Sequence, residues 1–352
     1  MPDWTKSKQQ TYEYYVVDPN SWRDTTQLRH VKSSSIERDE SAGTLGSASI
    51  SLADLVGECY IRIYLVTVQD GITERHPLGT FLIQTPHTEF DGKVQAVSAD
   101  AYTPLLELKE NPPPLGYSIL KGVNIMDTAY RITRENVRAP VVKPTNDKIL
   151  YDDFVANVDD TWLTFVTDFI ANARYTLALD EMGRILFAPK QDISALQPVW
   201  TYSDDNSSIL MPAMAESHDL YGIPNVVEVV YSDSKTFFYA RVVNDDSNSP
   251  TSTISRGREI IHRVTNPSVI GDPTEDQIQQ YAEMLLRDLS SVEYEITYTH
   301  GYCPVRLGDC VRISHSKAGI EDCKGRVIKQ QINCISGCRV TETAVFTKKL
   351  WR

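Results

Sequence analysis

The chain has 352 residues, of which 41% are hydrophobic and 23% are charged, an ordinary composition for a folded protein. Its net charge of −12 opposes the cationic surface that binding to nucleic-acid phosphates requires. The sequence contains no uninterrupted apolar run of about 18 residues to span a membrane, and its polar start lacks the apolar segment of a signal peptide. We therefore expect two or three packed domains, made in a cytoplasm, that bind no specific nucleic-acid sequence and insert into no membrane.

Residues 1–110 show the twofold periodicity of half-buried β-strands. Along Tyr60–Val68, apolar side chains recur at every second position. Asp70-Gly71 and Asp91-Gly92 favour tight hairpin turns, because both residue types tolerate a positive φ. The pattern predicts an antiparallel β domain that ends before Pro112–Pro114, where successive proline rings prevent a helix from continuing.

Residues 111–215 are predicted to form an α+β insert. A short helix is expected between Asn124 and Arg134, and a second helix begins where Asp160 or Thr161 can cap it. The segment from Tyr175 to Phe187 alternates polar and apolar residues around a turn, which indicates a β-hairpin. Helix and hairpin together give one small α+β unit.

Residues 216–352 are predicted to form a second β domain. Strand-like segments around Asn225–Val243 open it, and a loop and a helix at about 245–292 interrupt it. The loop, Asp245–Ser255, is rich in serine and asparagine, which is typical of a flexible surface segment. The helix that begins at Thr274 carries a long apolar face, so we expect it to pack on a large neighbour.

No local signature of a serine hydrolase, zinc protease or nucleotide-binding protein occurs in the sequence. Cysteine and histidine could form a nucleophilic pair at His300 and Cys303 or at Cys310 and His315. On a β-strand, however, the odd spacing of His300 and Cys303 places them on opposite faces. Adjacent carboxylates are interpreted as turns or helix caps rather than as glycosidase acids. Calcium binding at Asp204-Asp205-Asn206 or at Asp245-Asp246 stays an alternative, although neither has the regular ligand spacing of an EF-hand loop. The adjacent pairs are Asp152-Asp153, Asp159-Asp160, Asp204-Asp205 and Asp245-Asp246. We predict no catalytic residue, no metal ligand and no cofactor.

Five of the six cysteines lie in the last 50 residues. They are Cys303, Cys310, Cys323, Cys334 and Cys338. Their spacing does not match the usual zinc sites, but His300 and His315 flank two of them and keep a metal site as an alternative. Disulfides formed after release of an extracellular particle are another alternative, whereas synthesis in a reducing compartment favours buried thiols.

Several segments, taken in order, resemble the hub proteins at the centre of phage baseplates and tail tips. They are Ser33–Asp39, Gly46–Leu52, Arg75–Ile83, Ser98–Leu106, Thr161–Phe187, Tyr221–Val227, the Thr274 helix, Glu295–His300 and Val305–Ile313. The first four resemble the strands of the family's first β domain, and Thr161–Phe187 resembles a recurrent insert. In the last segment a Gly-Asp turn, Gly308-Asp309, stands between strands, as it does in family members.

The resemblance implies a β-rich α+β fold with two tube-like antiparallel β-barrel domains, the α+β insert between them and a long helix inserted in the second. It further implies a homotrimer that joins the sixfold tail-tube ring to a threefold spike, beside other baseplate proteins of the virion. DNA would pass through this hub during genome ejection without specific binding. A lumen lined by carboxylates would suit that role, because like charges repel the phosphate backbone.

Two alternatives remain at this level. Some tail-tip proteins of related organisation carry peptidoglycan-cleaving domains, so a tail-associated peptidoglycan hydrolase is the first. A hub component of a contractile injection system shares the same architecture and is the second. The sequence does not distinguish contractile from non-contractile tails.

Overall fold

The computed structural model describes residues 2–53, 57–90, 95–190, 193–205, 208–218, 220–232, 236–267 and 274–349. The strands are β1 (Gln9–Val17), β2 (Asp24–Leu28), β3 (Val31–Asp39), β4 (Gly46–Leu52), β5 (Cys59–Gln69), β6 (Ile72–Phe90), β7 (Gln95–Tyr102), β8 (Ser118–Ile119), β9 (Phe154–Val155), β10 (Tyr175–Leu179), β11 (Ile185–Pro189), β12 (Trp200–Tyr202), β13 (Leu210–His218), β14 (Val226–Ser232), β15 (Phe237–Val243), β16 (Ile261–Thr265), β17 (Ser291–Gly301), β18 (Cys310–His315), β19 (Ile320–Asn333) and β20 (Arg339–Lys349). The helices are α1 (Leu106–Glu110), α2 (Ile125–Asn136), α3 (Trp162–Ala171), α4 (Thr253–Arg256) and α5 (Glu275–Leu289). The predicted β-rich α+β class is confirmed.

The chain divides into two compact units. The larger comprises Met1–Ala213 and Tyr298–Thr343, and the smaller comprises Met214–Thr297 and Ala344–Arg352. The division into three domains at residues 110 and 215 stays a prediction.

The larger unit contains an extended sheet in the order β2-β1-β5-β6-β7-β4-β3-β19. The predicted hairpin at Asp70-Gly71 joins β5 to β6, and both turn residues have positive φ. The predicted turn at Asp91-Gly92 lies outside the described residues. Strand β19 pairs antiparallel with β3, placing Ile332 opposite Ile36. Strands from both predicted β domains therefore share one sheet. In the described part of the chain, β2 is the last strand at one end of this sheet.

Strand β5 departs from the half-buried pattern predicted for it. Ile61 and Ile63 on one face are fully buried, but Tyr60 and Arg62 on the other face are only 1% exposed. Arg62 remains buried because its guanidinium donates to Asp24 at 2.6 Å and its Nε to Thr80 at 2.9 Å. An arginine that is paired in this way can be buried. A polar residue at alternate positions of β5 therefore did not indicate that this face of the strand contacts solvent.

The predicted helices and hairpin of the insert are present in the larger unit. Asn124 caps α2, while Thr161, one of the two proposed residues, caps α3 through a capping box with Thr164. The two helices, α1 and the β10-β11 hairpin enclose an aromatic and aliphatic core around Phe165 and Phe169. Burial of this apolar surface stabilises the insert.

The smaller unit is built on a three-stranded sheet in the order β15-β14-β16. The predicted β14-β15 hairpin is antiparallel, and β16 adds to β14 in parallel. Thr274 and Gln277 form the capping box that starts α5. Ile278, Ala282 and Leu286 of α5 are fully buried against one face of the sheet, which confirms the predicted packing of the helix.

The polar segment Asp245–Ser255, predicted to be a flexible surface loop, does lie at the surface, since Asp245, Ser247 and Ile254 are exposed, but part of it is buried. Its flexibility stays a prediction. Thr251 and Ser252 are fully buried, and Ser252 caps α4. Asn244 donates to the hydroxyl of Ser249 at 3.0 Å. The polar side chains satisfy one another and the backbone inside a folded turn, so their polarity does not require contact with water.

Candidate functional site

The His300 and Cys303 pair proposed from the sequence does come together, but in the protein interior. His300 lies near the end of β17, whereas Cys303 follows the strand, so the argument from opposite strand faces does not apply. The Sγ of Cys303 lies 3.9 Å from Nδ1 of His300. His300 is fully buried and Cys303 is 2% exposed. The two side chains are therefore enclosed by protein rather than placed in an open cleft.

A buried polar network surrounds this pair. The hydroxyl of Tyr202 lies 3.2 Å from Nε2 of His300 and 3.2 Å from Sγ of Cys303. Glu342 on β20 is fully buried, lies 3.5 Å from Nε2 of His300, and accepts a short hydrogen bond from Tyr298. Each polar group has a partner, as burial away from water requires. The network ties together β12, β17 and β20.

The environment changes the protonation of His300. Burial lowers the pKa of His300, but its hydrogen bonds with Cys303 and Glu342 outweigh burial and raise the pKa to about 10. Burial and the charge of Glu342 raise the pKa values of Tyr202 and Tyr298 well above the usual tyrosine value. These shifts favour the protonated imidazolium form of His300 beside Glu342 and keep the phenols of Tyr202 and Tyr298 neutral.

Gln330 and Arg38 extend the network toward a cavity. Gln330 donates to Glu342 at 2.6 Å and accepts from Arg38 at 3.0 Å. The cavity, of about 610 Å³, is lined in part by apolar residues that include Leu78 and Phe81. Its wall also contains oppositely charged pairs, Glu181 with Arg306 at 2.6 Å and Glu40 with Arg326 at 2.5 Å. The charges of these pairs compensate each other.

The turn of the β10-β11 hairpin, Asp180–Gly183, is held by a second buried cluster in the larger unit. The carbonyl of Met182 accepts from Nε1 of Trp22 at 2.7 Å and from Arg62 at 3.1 Å. The carbonyl of Glu181 accepts from the hydroxyl of Thr80 at 3.3 Å. The hairpin turn is thereby fixed to the sheet through its backbone.

The second proposed pair, Cys310 and His315, lies on β18 at its two ends. The Nδ1 of His315 accepts the backbone N–H of Ala318 at 3.2 Å and so caps a short helical turn. Asp204 lies 3.9 Å from the same nitrogen and accepts from Ser316. This histidine stabilises a local turn.

The adjacent carboxylates accept backbone hydrogen bonds, Asp160 and Asp246 within local turns, as predicted, and Asp153 and Asp204 from segments distant in the chain. One member of each pair accepts a backbone N–H: Asp153 from Lys121, Asp160 from Asn157, Asp204 from Ser316 and Asp246 from Asn248. Within the described part of the chain, no group of three or more histidine, cysteine, aspartate or glutamate residues is arranged to hold a metal ion. All six cysteines are present as thiols.

Several large apolar side chains between Leu115 and Val158 in the larger unit are exposed. Short strands β8 and β9 pair within this segment. Leu115 is 87% exposed, Tyr151 is 91% exposed and Val158 is 82% exposed. Carboxylates such as Asp152 and Asp159 are exposed among them. Apolar surface of this kind marks interaction sites more often than isolated exposed residues do.

Sequence reasoning missed the residues that organise these buried clusters, chiefly Arg62, Glu181 and Glu342. Each is a charged residue on a strand or turn, where polarity normally indicates contact with water. The local sequence contains no signal of their burial, because every partner comes from a distant part of the chain. Arg62, for example, is paired with Asp24.

The arrangement of strands and helices is a fold found in phage tail proteins. Over 96% of the chain it matches the 43 kDa tail protein of prophage MuSo2 from Shewanella oneidensis, covering 98% of that chain, with a TM-score of 0.65 and 9% identity. It also matches a tail protein from Neisseria meningitidis MC58, covering 96% of both chains, with a TM-score of 0.60 and 16% identity. A prophage tail protein from Listeria monocytogenes EGD-e matches over 94% of both chains, with a TM-score of 0.50 and 11% identity.

No protein-family model and no curated protein sequence matches the chain. The structural neighbours, by contrast, confirm the resemblance to phage tail proteins noted in the sequence. At these sequence identities, the similarity is one of fold. None of the described helices has the length and apolarity needed to cross a bilayer.

Proposed function

We propose that this chain is a structural subunit of a phage tail, a trimeric hub that joins the sixfold tail tube to a threefold spike. The observation that carries the proposal is a fold shared along 96% of the chain with proteins described as phage tail proteins. Fold alone does not determine function. The order of the matching sequence segments and the buried state of the candidate catalytic pair add independent support.

The sheet of the larger unit supports a ring-shaped assembly. In the proposed hub, each copy supplies two tube-like β domains, so that three copies present six similar units to the tube. Strand β3 from the first predicted β domain pairs with β19 from the second. Such edge-to-edge pairing joins the two domains without leaving a free strand edge between them, as a continuous ring requires.

The acidic composition suits a conduit for DNA. A net charge of −12 on each copy gives a trimer a strongly negative field. Carboxylates that face a lumen would repel the phosphate backbone, so DNA would slide through rather than bind. Calculating the potential along the pore of an experimental trimer structure tests this point, and a neutral or basic pore would contradict it.

A structural role agrees with the chemistry of the interior. Of the two cysteine and histidine pairs proposed from the sequence, the described residues bring together only His300 and Cys303. Tyr202 and Glu342 enclose this pair. A peptidoglycan strand needs an open cleft, and this pair is buried. We therefore expect no clearing by the purified chain on a peptidoglycan zymogram, whereas clearing would favour a tail-associated hydrolase.

The deciding experiment is the mass of the purified full chain in solution, alone and with tube and spike proteins of the same particle. Sedimentation equilibrium is expected to give a trimer that binds both partners. A chain that stays monomeric at high concentration, even with tube and spike proteins present, would overturn the proposed hub.

A further inference from the structure

Four half-buried leucines contribute to the lining of the cavity in the larger unit. Leu45 precedes β4, Leu179 and Leu186 belong to the β10-β11 hairpin, and Leu307 precedes β18. The fold therefore assembles this apolar surface from three separate parts of the chain. A volume of about 610 Å³ lies within the range of pockets that hold small organic molecules. The cavity has both the size and the apolar surface of a ligand site.

The carboxylates of this lining are paired with cations, with one exception among the described residues. Four of them form ion pairs at 2.5 or 2.6 Å: Glu37 with Lys329, Glu40 with Arg326, Asp180 with Arg184 and Glu181 with Arg306. Asp309 forms no ion pair, and its carboxylate accepts the backbone N–H of Arg306 at 2.8 Å. The guanidinium of Arg306 is held by Glu181 instead, so the charge of Asp309 lacks a salt-bridge partner.

The surroundings of Asp309 favour a cation. Burial raises the pKa of its carboxyl above the usual aspartate value, and the charges of Glu181 and Glu342 act in the same direction. The backbone hydrogen bond and the positive charge of Arg306 offset these effects only in part. Asp309 is half-buried, so part of its side chain is accessible. A positive charge placed beside this carboxylate would stabilise its ionised form.

An anionic ligand, by contrast, would have to displace existing partners. The three arginines of the lining are already engaged, Arg306 and Arg326 by carboxylates and Arg38 by Gln330 at 3.0 Å. Lys190 also lines the cavity, but it is exposed, and solvent and salt screen a charge at such a position. The arrangement of charges thus selects for a cation.

We propose that this cavity binds a primary alkylammonium group, with the cation at Asp309 and the alkyl chain against the leucines. The ammonium donates charge-assisted hydrogen bonds to the carboxylate, and these are stronger than bonds between neutral groups. The alkyl chain covers apolar lining and removes it from water. A lysine side chain of another tail protein and a free aliphatic amine both carry this group. The site lies within the larger unit of one copy, so it does not depend on the proposed trimer.

The first test compares four ligands of the wild-type full chain by ligand-detected NMR titration. n-Hexylammonium carries the charge and the chain, whereas methylammonium lacks the chain, 1-hexanol lacks the charge and hexanoate reverses it. We expect n-hexylammonium to bind at least about tenfold more tightly than each of the other three. Hexanol or hexanoate that binds as tightly would overturn the proposal, and so would the absence of n-hexylammonium binding.

Variants of the full chain locate the site. Asp309→Asn removes the charge but retains an oxygen that can accept the N–H of Arg306, and it should weaken n-hexylammonium binding at least about tenfold. The matched control is Asp322→Asn, which removes a carboxylate that is 71% exposed and is not part of the lining. The control should bind like the wild-type chain. Unchanged binding by Asp309→Asn, or an equal loss in the control, rejects the assignment to Asp309.

Leu186→Ala tests the apolar half of the site without altering Asp309. It shortens one leucine of the lining and should weaken n-hexylammonium binding several-fold, because less apolar surface is covered. Thermal unfolding checks that each variant folds. If Asp309→Asn does not fold, Leu186→Ala and the wild-type ligand series decide the question. Binding that is indifferent to Leu186→Ala contradicts an alkyl chain against the leucines.

A fifth ligand, Nα-acetyl-lysine N-methylamide, distinguishes the two sources of the group. Binding as tight as that of n-hexylammonium supports a lysine of another tail protein, and binding of n-hexylammonium alone supports a free amine. Sedimentation equilibrium on the same samples keeps this site separate from the proposed function. A trimer that binds no n-hexylammonium overturns the site and leaves the hub standing, whereas a monomer that binds it overturns the hub and leaves the site.

Discussion

Arg306 donates to the carboxylate of Glu181 at 2.6 Å, and this ion pair connects the turn of the β10-β11 hairpin to the segment before β18. Glu181 is the less exposed partner, with 11% of its side chain accessible against 58% for Arg306. Arg38 approaches the same carboxylate at 3.9 Å. One acidic side chain in a turn thus links three distant segments of the larger unit.

Glu181→Gln should destabilise the larger unit by about 1–2 kcal/mol, because it removes a charged acceptor that Arg306 and Arg38 share while preserving shape. The estimate is kept low because Arg306 is largely exposed to solvent. Urea unfolding of the full chain measures the change. Asp322→Asn is the matched control, since Asp322 pairs with Arg312 at 3.2 Å but is 71% exposed. Equal loss of stability in the two variants would contradict the linking role of Glu181.

Gly183 of the same turn should resist substitution more strongly than another glycine of similar backbone conformation. Its φ is +73°, and an added Cβ would lie 2.7 Å from Cβ of Thr80. Gly116 has a φ of +77° but has no heavy atom within 4 Å of such a Cβ. Alanine at either position pays the left-handed penalty of about 1–2 kcal/mol.

Gly183→Ala should therefore destabilise the chain by about 1–3 kcal/mol more than Gly116→Ala does, because it adds a packing clash to the same backbone penalty. Differential scanning calorimetry of the two variants compares them under identical conditions. A melting temperature for Gly183→Ala equal to that of Gly116→Ala would show that the turn moves away from Thr80 at little cost.

These contacts mark the limit of what the sequence could predict. The helix starts at Thr161 and Thr274 and the hairpin at Asp70-Gly71 depend on neighbouring residues, and local pattern predicted them correctly. The pairing of β3 with β19 and the burial of Arg62 and Glu342 depend on partners far away in the chain. A single sequence does not show which residues far apart in the chain come together in the fold. Charged residues on strands were therefore expected to face water.

The thiols should react in an order set by burial. Cys303, Cys310, Cys334 and Cys338 are buried, whereas Cys59 is half-buried. Burial raises the pKa of Cys334 to about 11 and that of Cys338 to about 12, which keeps both in the unreactive thiol form. We expect a maleimide to label Cys59 before Cys334 and Cys338, as peptide mass spectrometry would record.

Migration of purified virions on reducing and non-reducing gels is the companion measurement. Since all six cysteines are thiols in the structure, the band should not shift between the two conditions. A shift would indicate disulfides formed after release, and rapid labelling of Cys338 in the native chain would contradict the burial described above.

The His300 and Glu342 pair predicts how stability depends on pH. The folded pKa of His300, about 10, lies above its ordinary value of 6.5. The folded state therefore binds a proton more tightly than the unfolded state. The stabilisation from this pair is complete below about pH 6.5 and is lost as pH rises through the folded pKa. Other groups titrate in the same range, so a comparison with a variant is needed to isolate this contribution.

His300→Gln removes the titrating group while retaining a side chain that can hydrogen-bond to Glu342 and Tyr202. The variant should be less stable than the wild-type chain at pH 6, because Glu342 loses its positive partner in a buried site. The difference in unfolding free energy between the two proteins should shrink steadily from pH 7 to pH 10, as wild-type His300 loses its proton. Urea unfolding at closely spaced pH values gives this difference directly. A difference that stays constant over the range would mean that His300 is neutral in the folded chain, and that the cluster is held by the phenols of Tyr202 and Tyr298 rather than by an ion pair.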